Sequence, residues 1–184
     1  MARLCSFTML SLDGCYADAN GDMRWAHASD PEAKAFAAEN AKSNGVLVFG
    51  RITYQMMASY WPTELAAKND AAVAEGMNRM PKVVFSKTLR SAEWSGTTIA
   101  SGELVGEVKK LKQGKLDLVV LGSGTLVGAL AQAGLIDEYQ LLVNPLVLGD
   151  GRRLFAGVTG MPRLALESTR RFENGNVFLR YRPG

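Results

Sequence analysis

Short apolar runs alternate with helical patterns along this chain, and the breaks between them set out the elements. Leu4 to Leu12 reads as a strand, ended by Asp13-Gly14. Asp30-Pro31-Glu32 reads as a helix start, with Asp30 as N-cap and Pro31 at the first helical position, and "EAKAFAAENAKS" supplies its helix formers. Val46 to Phe49 is a strand stopped by Gly50, and Arg51 to Ser59 a short helix. "TELAAKNDAAVAEGMNRM" predicts a further helix, Lys82 to Phe85 a strand, and Gly102 to Lys112 another helix. Leu116 to Leu121 is a strand running into Gly122-Ser123-Gly124, and the helix after it extends to about Ala133, where Gly134 stops it.

Beyond that point the texture changes. Tyr139 to Val143 is a strand, and "NPLVLGDGRRLF" a glycine-rich loop. Leu164 to Phe172 and Val177 to Arg182 flank Glu173-Asn174-Gly175-Asn176, where Asn-Gly signals a hairpin. The expected class is α/β: a mainly parallel central sheet with flanking helices, finished by antiparallel strands. With neither repeat nor linker in 184 residues, one domain spanning 1–184 is expected.

Composition narrows the function classes. A formal charge of +3 without a dense Lys/Arg run argues against nucleic acid, and "VKKLKQGK" (Val108 to Lys115) reads as a solvated helix end. Cys5 and Cys15 have neither the number nor the spacing of a metal site or a disulfide framework. His27 is the only histidine, so a zinc site or a Ser-His-Asp triad would have to be built around it alone, and neither is expected. The first strand meets Asp13 before a leader-like apolar core develops, and no apolar run reaches membrane-spanning length. A cytoplasmic location with reduced thiols is therefore expected.

The candidate chemistry lies where strands turn into helices. "LVVLGSGTL" (Leu118 to Leu126) carries a strand into glycines at a helix N-terminus, where free backbone N–H groups and the helix dipole suit a phosphate. Its spacing, Gly-x-Gly-x-x-x-Gly ending at Gly128, departs from the Rossmann fingerprint. About twenty residues on, where that fingerprint wants a carboxylate, stands Asn144-Pro145. "VLVFGRITY" places Gly50, Arg51 and Thr53 at a second strand–helix junction, and "KVVFSKTL" ends on Ser86-Lys87. In a parallel sheet these strand ends share one edge. Arginine and lysine among hydroxyls suit a phosphomonoester such as the 2′-phosphate of NADPH, although each cation taken alone reads equally as a surface charge.

Four segments carry a family likeness: "SLDGCYAD", "VFGRITY", "VVLGSGTL" and "LIDEYQLLVNPLVLGDGRRLF". Together they resemble the dihydrofolate reductase superfamily, and within it the branch of the reductase domain of riboflavin-biosynthesis deaminase-reductases. The resemblance implies a three-layer fold with a C-terminal antiparallel hairpin, and NADPH as hydride donor. It implies that Gly50, Arg51 and Thr53 hold the adenosine phosphate end with Ser86 and Lys87. Gly122, Ser123, Gly124, Thr125 and Leu126 would cover the pyrophosphate, and the backbone around Met9, Leu10, Tyr16 and Ala17 would border the nicotinamide.

At the substrate end two acids compete. Asp30 stands five positions after Trp25, the offset of the pocket carboxylate in dihydrofolate reductases, but it also makes a natural helix N-cap. Asp13 is the alternative, with turn formation as its other reading. Met9, Trp25, Tyr54 and Asn144 are the candidates for the substrate wall, Trp25 and Tyr54 reading equally as core packing. The chain carries no His-x-Glu or Pro-Cys-x-x-Cys of a zinc deaminase. The expected function is an NADPH-dependent reductase of a small heterocyclic or ribosylamino-pyrimidine acceptor. The alternatives are a non-catalytic NADP(H)-binding module and a mainly structural oligomer. A homodimer is expected through the apolar "YQLLVNPLVL" region.

Overall fold

Near the middle of an eight-stranded sheet lies β1 (Leu4–Ser11), in the computed structural model that describes residues 1–26 and 30–184. His27 lies outside the described residues. Parallel to β1 run β3 (Val46–Gly50), β4 (Lys82–Phe85), β5 (Thr97–Ala100), β6 (Leu118–Gly122) and β7 (Glu138–Asn144). The hairpin β9 (Leu164–Arg171) and β10 (Val177–Pro183) adds antiparallel to β7, which gives the order β5-β4-β3-β6-β1-β7-β10-β9. The expected α/β architecture is present. Two short strands, β2 (Cys15–Asp18) and β8 (Gly151–Arg153), pair as a separate antiparallel ribbon.

Both faces of the sheet are covered, so strands alternate between two cores rather than between core and water. Leu4, Leu10, Val48 and Val120 pack beneath α5 (Leu104–Leu111) and α6 (Gly124–Gln132), which contribute Val108, Val127 and Leu130. On the opposite face Leu47, Phe49 and Val84 pack against α2 (Arg51–Ala58) and α4 (Ala71–Arg79) through Tyr54 and Met77. Further along that face Phe7, Met9, Leu142, Phe172 and Phe178 meet Ala33 and Phe36 of α1 (Pro31–Asn40).

Some elements differ from expectation. The long helix expected over 63–80 is two, α3 (Glu64–Asn69) and α4, because Asp70 leaves the helical region at φ −145° and its carboxylate pairs with Lys34 at 3.2 Å. Strand β5 and the ribbon β2–β8 have no counterpart in the sequence pattern; the ribbon runs through what reads as the "NPLVLGDGRRLF" loop. The hairpin turn takes three residues: Gly175 sits at φ +87°, its N–H donates to the Phe172 carbonyl, and Phe172 N–H donates to Asn176. Among the described residues no helix is long and apolar enough to cross a membrane.

Candidate functional site

Because β1, β3, β4, β5, β6 and β7 are all parallel, their carboxyl ends deliver Ser11, Gly50, Ser86, Ser101, Gly122 and Asn144 to one edge. Strands β3 and β6 are neighbours, so α2 and α6 start side by side. Their registers match Val48 with Val120 but Phe49 with Gly122, which leaves Leu121 as a bulge just before the glycine turn. A Cβ added at Gly50 would stand 3.1 Å from Ser123 Oγ and 3.2 Å from Leu126 Cδ1. Gly122 has φ +125°, a conformation open to glycine, and a Cβ there would stand 3.2 Å from Thr53 Oγ1. The glycines allow two backbones to approach as side chains would not.

These two helix starts differ from those of α1, α3 and α5 in how they are capped. Helix α1 is capped by Asp30, α3 by Thr63 and α5 by Glu103, each through side-chain oxygens accepting backbone N–H groups. Neither Gly50 before α2 nor Ser123 before α6 makes a side-chain cap. Helix α4 lacks one too, its N-cap Asp70 pairing instead with Lys34. The starts of α2 and α6 therefore lie side by side with no side-chain cap among the described residues, an arrangement suited to binding phosphate. Arg51 donates only to Gln55 Oε1, at 3.1 Å, and Lys87 has no carboxylate partner among the described residues.

Two cavities flank the cradle. One, of about 340 Å³, opens between the ends of β4 and β5 and is lined by Phe85, Ser86, Lys87, Ser101, Gly102, Glu103, Leu104 and Leu126. Ser86 also shapes the turn here, its Oγ accepting from the N–H groups of Thr88 and Leu89 at 3.2 and 2.9 Å. The other, of about 410 Å³, lies between the β2–β8 ribbon and α6, beside Tyr16, Gly124, Thr125, Arg152 and Arg153. A Cβ at Gly124 would overlap Tyr16 Cε1 and Cδ1, so the ring packs directly against the first turn of α6. Ala17 is buried, its carbonyl beside Gly151.

The expected substrate residues separate into two groups. Tyr54 is 3% exposed, packs on Phe49 and Trp94, and accepts the Trp94 N–H at 3.2 Å through its hydroxyl. It is core, because its position on α2 faces the sheet rather than the cavity. Asn144 is buried as well, its Nδ2 donating to the carbonyls of Leu10 and Leu142 and so tying β7 to β1. Met9 lies with Phe7 on the face beneath α1, whereas Leu10 turns to the opposite core. Trp25, in a single 3-10 turn (Arg24–Ala26), is half-buried and donates from Nε1 to the Asp22 carbonyl.

The two candidate acids are also distinguished. Asp13 is committed to the backbone: Oδ1 accepts from Ser11 Oγ at 2.6 Å and Leu148 N at 3.1 Å, and Oδ2 from Gly149 N at 2.9 Å. The Ser11 hydroxyl, followed by these N–H groups, holds its carboxyl down to about 2. Its place is that of a clamp on the 145–150 loop. Asp30 uses Oδ1 to cap α1, accepting from Glu32 N at 2.8 Å, while its Oδ2 is buried with no hydrogen-bond partner among the described residues. The ion pair of Glu32 with Arg170 at 2.9 Å fixes this end of α1 level with Leu142 and Met9, near the carboxyl ends of β1 and β7. An orphaned, buried carboxylate oxygen is a polar group waiting for a donor.

Sequence reasoning passes over Ser101, Gly102 and Glu103. They lie at the end of β5, which is only four residues long. A strand read over "TTIA" would have sent them to the shared edge.

A model of the RibD C-terminal domain matches residues 2–178. The chain belongs to this family. Uncharacterized protein YyaP of Bacillus subtilis (strain 168) is 28% identical over 174 residues, covering 94% of this chain and 90% of that one. A crystal structure of a protein from Shewanella sp. PV-4 superposes with TM-score 0.75 at 22% identity, over all of this chain and 99% of that one. All of this chain also matches 57% of the Thermotoga maritima diaminohydroxyphosphoribosylaminopyrimidine deaminase/5-amino-6-(5-phosphoribosylamino)uracil reductase, with TM-score 0.70 and 14% identity. These likenesses agree with the fold expected from the four motifs.

Proposed function

We propose that this RibD C-terminal domain protein is an NADPH-dependent reductase that passes hydride to a small heterocyclic or ribosylamino-pyrimidine acceptor. The observation that carries the reading is the pair of adjacent helix starts, α2 and α6, whose glycine-lined cradle has no side-chain cap. That cradle suits a pyrophosphate, with Ser123 and Thr125 around it and Arg51 and Thr53 toward the adenosine phosphate end. A dinucleotide seated there reaches the cavity beside Lys87 in one direction and Tyr16 and Met9 in the other. The uracil reductase named in the Thermotoga protein fits the same assignment.

When bound, the nicotinamide supplies the hydride, and the chain has only to align donor with acceptor and keep water out. The Tyr16 ring and the β2–β8 ribbon wall the nicotinamide end. Asp30, with one oxygen held by the helix start and the other without a partner among the described residues, hydrogen-bonds a ring N–H of the acceptor or holds the proton that accompanies reduction.

The test is titration with NADPH followed by an acceptor panel of pteridines and ribosylamino-pyrimidines, with NADPH oxidation followed by its absorbance. Binding with turnover of one class supports the proposal. Binding without oxidation by any acceptor would make the chain a non-catalytic NADP(H)-binding module, and no binding at physiological salt would remove both readings.

A further inference from the structure

The cavity between β4 and β5 carries opposite charges on one rim. Lys87 follows β4, and Glu103 follows β5 as the N-cap of α5. Both Glu103 oxygens are fixed, Oε1 accepting from Val105 N at 2.8 Å and Oε2 from Gly106 N at 2.7 Å. Those N–H groups hold its carboxyl below the usual range, so it is ionised at neutral pH. Phe85, Leu104 and Leu126 give the cavity apolar walls suited to a flat base. Leu126 also touches the glycine cradle at Gly50, so a ligand with its phosphates on α2 and α6 enters this cavity with its adenosine.

The two rim charges ask for different riboses. A 2′-phosphate is attracted by Lys87 and repelled by a carboxylate that its helix cap keeps from turning away. An unphosphorylated ribose offers hydroxyl donors, for which a fixed carboxylate is an acceptor. We propose that Glu103 sets the choice between NADPH and NADH, working against the 2′-phosphate, so that removing its charge sharpens the preference for NADPH. This rests on the dinucleotide reading above.

The experiment compares wild type with Glu103→Gln and Glu103→Ser, both of which keep an oxygen able to cap α5 without the charge. Affinities for NADPH, NADH, adenosine 2′-phosphate and adenosine 5′-phosphate are measured by calorimetry at low salt, with circular dichroism confirming the fold. The expected result is NADPH and adenosine 2′-phosphate binding about tenfold tighter in both variants, with NADH and adenosine 5′-phosphate unchanged or weaker. The gain shrinks at high salt, as a gain made by removing a rim charge must. Equal shifts for phosphorylated and unphosphorylated ligands, or none, would overturn the proposal and leave the dinucleotide site standing. Absence of binding by any of the four to wild type would remove both together.

Discussion

The two ends of the parallel sheet are built from the same residue types and use them in opposite ways. At the amino end polar groups find partners within the chain. Lys82, 1% exposed at the start of β4, donates to the carbonyls of Asn78 and Ser95 at 2.9 and 3.0 Å and lies over the Trp94 ring. Glu138, at the start of β7, faces Arg3 and Arg180 at 3.5 Å each and accepts from Gln140 at 2.6 Å. Asp137 accepts from Leu4 N and from Lys112. At the carboxyl end Arg51 and Lys87 meet no carboxylate among the described residues, and two helix starts go uncapped. One end is finished internally, and the other is left for a ligand to finish. Substitutions at the first should register as stability and at the second as binding.

The largest expected effect breaks the internal network. Glu138→Ala removes the buried carboxylate that accepts from Gln140 and on which Arg3 and Arg180 converge, and should lower unfolding free energy by about 2–3 kcal/mol in urea titrations. NADPH affinity of the folded protein should not change. A stability loss below about 0.5 kcal/mol, the range of ordinary surface substitutions, would show that the amino end is no firmer than the rest.

Next in size is the double substitution Arg51→Ala with Lys87→Ala. It should weaken NADPH by about 1–3 kcal/mol, as for lost charge-assisted bonds, with stability barely altered. NADH should be nearly unaffected. Equal losses for both dinucleotides would mean that this pair does not read the 2′-phosphate, and a large drop in melting temperature would erase the contrast between the ends.

Much of the carboxyl edge is legible in the sequence itself, and the parts that are not share a cause. Strands β1, β3, β4 and β6, the Asp30 cap and the glycine turn all announce themselves within a short window of neighbouring residues. Strands β2 and β8 have four and three residues and become strands only by pairing with each other across most of the chain. The break at Asp70 is accompanied by its pairing with Lys34, which belongs to another helix. Tyr54 and Asn144 have the residue types of a pocket wall, and periodicity cannot say whether a half-polar side chain faces a cavity or the core. That Asp30 Oδ2 is buried without a partner among the described residues is a property of packing, visible only once α1 is seated.

The smallest expected effect concerns Asp13, an acid at the carboxyl end whose two carboxylate oxygens are both used within the chain. Its carboxyl titrates at about 2 in the folded protein against 3.8 for the ordinary group, with the Ser11 hydroxyl as the main cause. A depressed carboxyl contributes stability that is present above its unfolded value and fades as pH falls through the folded one. The gap between wild type and Asp13→Asn should therefore be constant above about pH 5, narrow between about 4 and 2, and close in stronger acid. Thermal midpoints at about pH 7, 4 and 2.5 measure it. A gap that persists unchanged at the lowest of these would mean that the charge is not what holds Leu148 and Gly149, leaving hydrogen-bond geometry alone. A group that keeps its proton only in strong acid, with both oxygens already used, is unsuited to deliver one at neutral pH; Asp30 is the better candidate on geometry, because its Oδ2 has no hydrogen-bond partner among the described residues.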